Sequence, residues 1–409
     1  MRFAEDGVDV AGERAGIVYM VIESEIHLAH NDSAATVRWE EMKMTRRTLT
    51  ISISACVVTV FGLLMGFPSG EAQGGKAAGG ENQARAVQPA QGEYKLKIPF
   101  GLEESAVVIP ADNLLTNDKV ELGRLLFFDK RLSKNNTIAC ASCHMAQFAF
   151  TDGRKVSAGI HGLKGDRSAP ASINRVFSTV QFWDGRAATL EEQSIGPFTN
   201  PVEHGFANYD EMIAKMKKIA GYRKLFQQVF GTEVTIDGVG KAIASFQRTI
   251  LSGNSPADRF DQGQEENAIS AAAQNGLILF REKARCARCH SGFNITDEKF
   301  HNLGIGWDDN TVDLGRYMVT KNPEELGAFK TPTLREIARS APYMHDGRFK
   351  TLEEVVNFYN KGGVKNPHQD NLIIPLELTE QEKHDLVEFL HTLSGEGWQH
   401  VKAPTSFPK

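Results

Sequence analysis

The sequence has little cysteine, no excess of positive charge and few of the alternating patterns that indicate β-strands. Its 409 residues include five cysteines, and the formal net charge is −5 at pH 7. A chain without a basic surplus has no field that attracts a phosphate backbone, so we expect no nucleic-acid partner. Four of the five cysteines fall in two short motifs and only Cys56 is left over, which excludes a framework of disulfide bonds.

What is present is the composition of an ordinary soluble globular protein, with 41% hydrophobic and 24% charged residues. At this length, two domains of roughly 150 residues each and a tail are expected. Amphipathic helical periods recur along the chain and predict a mainly α fold. The predicted helices are Asp118–Phe128, Thr189–Ile195, Tyr209–Ile219, Ile236–Leu251, Ile269–Arg285, Thr351–Tyr359 and Thr379–Leu393.

The first part of the chain has the features of an export region rather than of a folded domain. Residues 1–41 fit no export signal, and we interpret them as a non-native extension. Residues 42–72 combine a basic start, an apolar run from Leu49 to Phe67 and small residues at the end, which predicts a signal peptide or, if it is retained, a membrane anchor. Residues 73–93 are rich in Gly, Ala and Gln and predict a flexible linker. We therefore expect a periplasmic protein.

Two long stretches without helical periods, Thr151–Asn174 and Asn294–Thr333, contain many Gly, Pro, Asn and Asp residues. Loops of this length are unusual in a compact domain unless something besides the core of the chain holds them. A large flat cofactor would do so.

The chain also carries a weak twofold repeat. In each half a helix leads into a CxxCH motif, a long loop follows, and a short motif ends in Asp-Gly-Arg, at Asp184–Arg186 and at Asp346–Arg348. A polar stretch from Ser252 to Gln264 separates the halves. We therefore predict one domain over residues 94–255 and a second over residues 256–409.

The two CxxCH motifs, Cys140–His144 and Cys286–His290, are the strongest chemical signal in the sequence. In such a motif two thiols add across the vinyl groups of a haem while the adjacent imidazole binds its iron, so one turn of chain both anchors and ligates the cofactor. The alternative is zinc, but two structural zinc ions would need about eight ligands, which four cysteines and scattered histidines supply poorly. We therefore expect two covalently bound c-type haems. The predicted haem-binding residues are Cys140, Cys143, His144, Cys286, Cys289 and His290.

The sixth coordination position of each iron decides what such a protein does. A second strong ligand makes an electron relay, whereas an open position makes a site that reacts with a small molecule. The CxxCH motifs alone leave both functions open.

Five further blocks accompany the two CxxCH motifs. They are Phe182–Arg186, Leu190–Gln193, Gly196-Pro197, Asn200–Glu203 and Ala341–Gly347. Together the motifs resemble the bacterial di-haem cytochrome c peroxidase and MauG superfamily over about Ile98 to Leu393. The resemblance implies a fold of two cytochrome c-like haem domains packed face to face, with long loops.

The resemblance also implies that hydrogen peroxide reacts at the N-terminal haem, on His144. Glu203 matches the acid that moves a proton between the two oxygens of bound peroxide, although a carboxyl group here could instead cap a helix or be solvated. Gln193 and Pro197 match residues that line the same pocket. Trp183 matches the tryptophan that relays electrons between the haems, and its alternative is a core aromatic.

The second haem, on His290, carries the most informative departure. Peroxidase-type members have a methionine fourteen residues after the histidine of the Ala-Pro-Tyr block, and counting from His345 this chain has Tyr359 there. MauG and its relatives have tyrosine. A phenolate favours ferric and higher oxidation states, so the resemblance implies a haem that stores oxidising equivalents. The alternatives are a merely buried Tyr359 and Met344 as the ligand.

His161 follows His144 by seventeen residues and is a candidate resting ligand of the first haem. In peroxidase-type relatives a histidine at about this distance caps the iron and moves away on activation, and Gly159, Gly162 and Gly165 would permit such a movement. Relatives with a tyrosine-type second haem commonly keep the first haem open, so the alternative is an exposed loop histidine. Six other histidines are expected at the surface: His204, His301, His368, His384, His391 and His400.

A calcium ion between the halves is a further implication of the resemblance. The matching positions are the backbone carbonyl groups of Ser340 and Pro342 and a side chain near Ser168. Relatives have asparagine where this chain has Ser168, and serine is a poorer calcium ligand. We therefore expect calcium with an altered coordination.

The sequence leaves the electron donor open. In the family, electrons come from a small redox protein such as a cytochrome c or a cupredoxin, or, with MauG, from tryptophan side chains of a protein substrate. The tryptophan through which MauG enzymes pass electrons, six residues before the second haem's histidine, is replaced here by Ala284. We therefore predict a peroxide-dependent di-haem oxidoreductase, with a MauG-like protein-modifying oxidase or a di-haem electron-transfer cytochrome as alternatives. Both monomers and homodimers occur in the family.

Overall fold

The computed structural model describes residues 92–307 and 312–409. Within these residues the protein is mainly α-helical, as the sequence predicts, with eleven α-helices and one two-stranded sheet. The strands β1 (Phe300–His301) and β2 (Phe329–Lys330) pair antiparallel. The helices are α1 (Asn117–Phe128), α2 (Cys140–Cys143), α3 (Leu190–Thr199), α4 (Tyr209–Lys217), α5 (Ala220–Phe230), α6 (Ile236–Gln247), α7 (Pro256–Asp261), α8 (Ala271–Arg281), α9 (Tyr317–Thr320), α10 (Leu352–Asn360) and α11 (Glu380–His391).

Three of the sequence predictions fall outside the described residues. These are the extension over residues 1–41, the signal peptide or anchor over residues 42–72, and nearly all of the linker over residues 73–93. Cys56 lies in the second of these segments. In the described part of the chain, no helix has both the length and the apolar character that a membrane crossing requires.

The helices begin where a side chain caps the first turn. Thr116, Thr189, Thr235, Thr351 and Thr379 each accept a hydrogen bond from the backbone N–H three residues later. Such a bond satisfies one of the N–H groups that the first turn of a helix leaves without a partner. These threonines explain why α1, α3, α6, α10 and α11 start at or next to the predicted positions.

The helix α5 is absent from the sequence prediction. Gly221 stands in its first turn, and a glycine weakens a helix locally, so the amphipathic pattern is interrupted there. Tertiary packing overrides this weakness, because Tyr222 and Phe226 are fully buried in the N-terminal core. The predicted helices also extend past the observed ends of α6 and α8.

Two hydrophobic clusters form the core of the described residues. The first draws on α1, α3, α4, α5 and α6 and includes Phe127, Phe198 and Phe246. The second draws on α7, α8, α10 and α11 and includes Phe280 and Phe389. Each CxxCH motif follows the first long helix of its own cluster, α1 or α8.

The C-terminal segment packs on the first cluster, although the predicted second domain spans residues 256–409. Trp398 and Val401 belong to the N-terminal core. Arg124 of α1 donates a hydrogen bond to the carbonyl oxygen of Lys402 at 2.8 Å. By its contacts the end of the chain therefore belongs with the N-terminal half, and the limits of the two domains stay a prediction.

The same helix crossing occurs in both halves, and a glycine makes each one close. A Cβ on Gly123 of α1 would lie 1.9 Å from the carbonyl oxygen of Ala242 in α6. A Cβ on Gly276 of α8 would lie 2.0 Å from the carbonyl oxygen of Asp385 in α11. Only glycine permits such an approach of two backbones. The weak repeat in the sequence thus corresponds to one packing arrangement used twice.

Replacing Gly123 or Gly276 by alanine is expected to lower the apparent Tm, because the new methyl group would overlap a backbone carbonyl. Overpacking of this kind costs about 1–3 kcal/mol, and thermal unfolding followed by circular dichroism would detect it. Gly196→Ala is the matched control, since Gly196 also lies in a helix and the nearest atom to an added Cβ, on Phe182, is 3.7 Å away. Its Tm should hold or rise, because alanine is the better helix former. Equal Tm values for all three variants would contradict the close crossings.

Candidate active site

The first CxxCH motif borders a small cavity in the N-terminal half. The helix α2 carries Cys140 and Cys143, and His144 follows directly after its end. Phe127 of α1 and Ile243 of α6 add apolar surface to the same wall. The two thiols and the imidazole therefore reach one cavity, as attachment of a haem requires.

The imidazole of His144 is held with one nitrogen free. Its Nδ1 lies 2.8 Å from the carbonyl oxygen of Phe150 and 3.1 Å from the hydroxyl of Ser172. Because a carbonyl oxygen only accepts, Nδ1 carries the proton and Nε2 keeps its lone pair. Burial lowers the pKa of His144, which favours the neutral ring. A neutral imidazole with a free Nε2 is the form that binds iron.

Three residues predicted for the peroxide pocket, Gln193, Pro197 and Glu203, meet in the wall of this first cavity. The helix-cap alternative for Glu203 does not hold, since the next helix begins at Tyr209 and its cap is Asn208. Its carboxyl group lines the cavity instead.

The environment of Glu203 makes its carboxyl group hold a proton more tightly. Burial raises the pKa of Glu203, and the charge of Arg186 and a hydrogen bond from Asn200 offset only part of this effect. That bond joins Asn200 Nδ2 to Glu203 Oε1 at 2.8 Å. Nearby, Gln247 Nε2 donates to Gln193 Oε1 at 3.2 Å, and this bond fixes the orientation of the Gln193 amide.

The second CxxCH motif borders a larger cavity in the C-terminal half. Residues of α8, α10, α11 and both strands form its mainly apolar wall. A mainly apolar wall of this kind suits a large flat apolar group such as a haem. The wall includes Cys286, Cys289, His290, Met344 and Tyr359.

His290 and Tyr359 face the same second cavity. The Nδ1 of His290 lies 3.3 Å from the carbonyl oxygen of Ile295, which again leaves Nε2 free. The hydroxyl of Tyr359, on α10, has no hydrogen-bond partner among the described residues, and burial raises its pKa. Met344, the alternative ligand, also lines this cavity. The structure therefore places both candidates for the second ligand, Tyr359 and Met344, in its wall. Tyr359 is half-buried in the cavity wall, so its position is compatible with a ligand of a metal held in this cavity.

The cysteines favour haem over zinc. All four described cysteines are unpaired, and burial raises the pKa of Cys140 to about 12 and that of Cys286 to about 12, which keeps both as thiols. Among the described residues, one group of three metal-ligating side chains lies within 4.8 Å, formed by Cys289, Asp297 and His301. A structural zinc site needs four ligands, so neither motif is a complete zinc site.

Trp183 lies in the wall of the second cavity although it belongs to the N-terminal half. Its Nε1 donates to the carbonyl oxygen of Ser168 at 2.8 Å, and its own carbonyl oxygen accepts from the backbone N–H of Lys330 at 2.8 Å. These bonds fix the indole at a junction of the two halves. Ala284, which stands where MauG enzymes have tryptophan, is buried in the same wall.

His161 is exposed and lies outside the wall of the first cavity. It adopts a φ of 56° in the turn Ile160–Gly162. The N–H of Ile160 donates to the carbonyl oxygen of Val202 at 3.1 Å, which holds this turn beside the segment that carries Glu203. In this conformation His161 is a loop histidine, and its role as a resting ligand stays a prediction.

The predicted calcium positions come from both halves. Ser168 is buried, and its N–H donates to the carbonyl oxygen of His345 at 2.7 Å, which joins the two halves at this point. Ser340 and Pro342 are half-buried on the segment before His345. The carbonyl oxygen of Ser168 is already occupied by Trp183. Calcium and its ligands stay a prediction.

The surface prediction is wrong for His204. This residue is 3% exposed, and its Nδ1 lies 2.7 Å from the carbonyl oxygen of Leu132. The ring packs edge-on against Phe198 and lines the first cavity. Burial lowers the pKa of His204 to about 4, so the imidazole is neutral. The turn after Glu203 folds inward, which no local pattern reveals.

The surface prediction is also wrong for His301, whose side chain is 12% exposed. Its Nδ1 contacts Asp370 at 2.5 Å and its Nε2 contacts Asp297 at 3.0 Å. A hydrogen bond to Cys289 and hydrogen bonds to both carboxylates raise the pKa of His301 to about 10. The surface prediction is confirmed for the exposed residues His384, His391 and His400, and His368 is half-buried.

Sequence reasoning did not identify Gln247 or Lys330. Gln247 comes to the first cavity from α6, 54 residues away from its partner Gln193. Lys330 is 4% exposed and lines the second cavity from β2. Neither residue belongs to a motif, and only the tertiary fold brings them to the sites.

Comparison with known proteins agrees with the two sites. A family model described as di-haem cytochrome c peroxidase matches residues 117–266. The chain is 40% identical over 319 residues to the methylamine utilization protein MauG of Methylorubrum extorquens, covering 78% of this chain and 89% of that protein. It is 38% identical over 343 residues to the cytochrome-c peroxidase IdrP1 of Denitromonas iodatirespirans, covering 76% and 89%. The chain belongs to the di-haem cytochrome c peroxidase family.

Solved structures share the fold. The crystal structure of a MauG-like protein associated with microbial copper homeostasis matches with a TM-score of 0.67 at 34% identity, covering 76% of this chain and 98% of that chain. The diheme peroxidase BthA of Burkholderia thailandensis matches with a TM-score of 0.62 at 21% identity, covering 78% and 97%. The protein is therefore an oxidoreductase of the di-haem peroxidase family with two haem cofactors, as the sequence predicts.

Proposed function

We propose that the protein is a periplasmic peroxidase that reduces hydrogen peroxide at a haem held by His144. A second haem, held by His290 and Tyr359, shares the oxidising equivalents. The observation that carries this proposal is the difference between the two cavities. A half-buried carboxyl group, Glu203, lines the first cavity, and a phenol without a hydrogen-bond partner among the described residues, Tyr359, lines the second.

One haem occupies each cavity, joined by thioether bonds to the two cysteines of each CxxCH motif, in two cytochrome c-like domains that face each other. Two observations support this arrangement. Each cavity receives two unpaired thiols and an imidazole. Trp183 of the N-terminal half also reaches the second cavity, as an electron relay between two facing sites would.

The chain's own residues perform the proton chemistry of peroxide reduction. When bound, the haem iron supplies electrons and the position at which the O–O bond breaks. Glu203 takes a proton from the nearer oxygen of peroxide and returns it to the farther oxygen, which leaves as water. The raised pKa of Glu203 suits this task, because an ordinary exposed carboxyl group holds a proton more weakly. Gln193 and Pro197 shape the pocket around the peroxide.

The electron donor in this proposal is a small redox protein, a cytochrome c or a cupredoxin. A calcium ion at Ser340 and Pro342 holds the halves together. The MauG-like alternative, oxidation of a protein substrate, has support from Tyr359 and from the 40% identity to MauG. Against it stands Ala284, which is buried at the position where MauG enzymes have an exit tryptophan.

Electron paramagnetic resonance of the ferric protein, before and after one equivalent of peroxide, separates a peroxidase from an electron carrier. We expect one high-spin and one low-spin haem at rest, and loss of both signals after peroxide. Two low-spin haems that do not respond to peroxide would show an electron-transfer cytochrome instead.

Replacing the cysteines of either motif by alanine should remove one covalent haem. The mature protein is expected to carry two haems in a denaturing mass spectrum and in a pyridine haemochrome assay. The double variants Cys140→Ala/Cys143→Ala and Cys286→Ala/Cys289→Ala should each retain one. A mature wild-type chain without covalent haem would contradict thioether attachment.

Glu203→Gln is expected to lower the second-order rate constant for peroxide by a factor of about 10²–10⁴, the usual contribution of an acid–base group. Stopped-flow absorbance of the holoprotein measures this constant. Glu233→Gln is the matched control, since Glu233 is exposed and outside both cavities. A rate constant within twofold of the wild type for Glu203→Gln would remove Glu203 from the mechanism.

Tyr359→Phe is expected to change the optical and magnetic spectra of the second haem, because it removes a phenolate ligand. Met344→Leu tests the competing ligand, and Tyr343→Phe is a control in the same cavity wall whose hydroxyl instead donates to Ile337. If the Met344→Leu spectrum changes and the Tyr359→Phe spectrum does not, methionine is the ligand.

A further inference from the structure

A fully buried carboxylate, Glu336, holds the indole of Trp398. The Nε1 of Trp398 donates to Glu336 Oε1 at 3.1 Å. The same oxygen accepts from the hydroxyl of Ser252 at 2.6 Å and from the N–H of Gly395 at 2.7 Å. Three donors that converge on one oxygen suit a carboxylate ion, which only accepts. The indole N–H therefore faces a fixed negative charge.

The cation beside this pair, Arg339, is far less buried. Its Nε lies 3.4 Å from Glu336 Oε2 without the geometry of a hydrogen bond, and its guanidinium carbon lies 5.6 Å from the centre of a Trp398 ring. The Arg339 side chain is 51% exposed, so water screens its charge, whereas the carboxylate is enclosed and touches the indole. The negative charge therefore acts more strongly on the indole than the positive one.

The two other tryptophans of the described residues have no such partner. Trp183 Nε1 donates to a neutral acceptor, the carbonyl oxygen of Ser168. Trp307 Nε1 has no hydrogen-bond partner among the described residues. A negative charge in contact with an indole stabilises positive charge on the ring, so the ring is oxidised more easily. Of these three indoles, that of Trp398 has the surroundings that most favour loss of an electron.

Two contacts join Trp398 to the histidine of the first CxxCH motif. His144 Nδ1 donates to the carbonyl oxygen of Phe150 at 2.8 Å. The ring of the same Phe150 packs edge-on against Trp398, with the ring centres 6.0 Å apart and the planes at 90°. Trp398 belongs to the N-terminal core and is followed by the exposed residues Gln399 and His400. The indole therefore contacts the residue that orients His144 and lies just below the surface.

We propose that Trp398 is an oxidisable residue that supplies an electron to the first haem, with Glu336 as the acceptor of its indole proton. The electron passes by way of Phe150 and His144 to the oxidising equivalent that peroxide leaves at this site. An indole that has lost an electron is a much stronger acid, so its Nε1 proton moves along the hydrogen bond to Glu336 Oε1. A neutral tryptophan radical and a neutral glutamic acid remain. One electron from the donor and the proton returned by Glu336 restore the indole.

The inference rests on the proposed function in one respect, namely that peroxide oxidises a haem held by His144. It adds a route for electrons that uses neither Trp183 nor the second cavity.

The test treats the mature holoprotein with one equivalent of hydrogen peroxide and no added reductant. Electron paramagnetic resonance detects organic radicals, and peptide mass spectrometry measures oxygen addition at each tryptophan. We expect a tryptophan radical and more oxygen addition at Trp398 than at Trp307. A hydrogen bond between Trp398 and Glu336 with a purely structural role would produce neither result.

Three variants make the outcome specific. Trp398→Phe keeps an aromatic ring but loses the indole, so it should remove the radical signal and slow the decay of the peroxide-oxidised optical spectrum several-fold. Glu336→Gln keeps an oxygen that accepts from the indole but has no charge and takes up no proton, so the radical yield should fall. Trp307→Phe is the matched control, since Trp307 is a half-buried tryptophan outside the walls of both cavities, and it should change neither readout.

The optical spectrum of the wild-type protein separates this inference from the proposed function. If the chain holds no haem, or its spectrum does not respond to peroxide, the proposed function fails. If the spectrum responds, the role of Trp398 is overturned when its oxygen addition does not exceed that of Trp307 or when the radical signal persists in Trp398→Phe. Should Trp398→Phe fail to mature, the wild-type comparison of Trp398 with Trp307 decides the question. An unchanged radical yield in Glu336→Gln would overturn the role of the carboxylate.

Discussion

The orientation of two imidazole rings by backbone carbonyl oxygens is the constraint on which both sites depend. His144 is fixed by Phe150, six residues later, and His290 faces Ile295, five residues later. Because the chain turns back directly after each CxxCH motif, the thiols, the ring and its acceptor form one local unit. Each imidazole lines the cavity that the surrounding helices leave open beside its motif. A ring that turned over would lose its iron-binding nitrogen to the backbone.

The two halves combine a similar helix scaffold with different polar side chains. Close helix crossings occur at Gly123 (α1 with α6) and at Gly276 (α8 with α11), and one CxxCH motif follows the first helix of each crossing. The polar groups added to this scaffold differ, since a segment after α3 brings Glu203 to the first cavity and α10 brings Tyr359 to the second. The two cavities therefore differ through the side chains of two elements, while the helix crossings beside them are alike.

The long loops are held in place by contacts between the halves. Arg167, in the first loop, bridges Asp184 at 2.7 Å and Asp313 at 2.6 Å. Ser168 next to it pairs with the backbone of His345. Loops with so many buried polar groups need partners for each of them, and the opposite half supplies these partners. Ser168 also accepts a hydrogen bond from Trp183, so contacts that hold the first loop also hold Trp183 in the wall of the second cavity.

The sequence by itself determined the local units: the capped helices, the two CxxCH motifs and the Tyr359 position. These depend on spacing along a few turns of chain, which the order of residues specifies directly. Only the tertiary structure decided that α5 forms despite Gly221 and that His204 and His301 are buried. It also decided that Gln247 and Lys330 reach the cavities, because burial and long-range pairing depend on which distant segments the fold brings together. The type of a residue does not specify which distant residues it will contact in the folded chain.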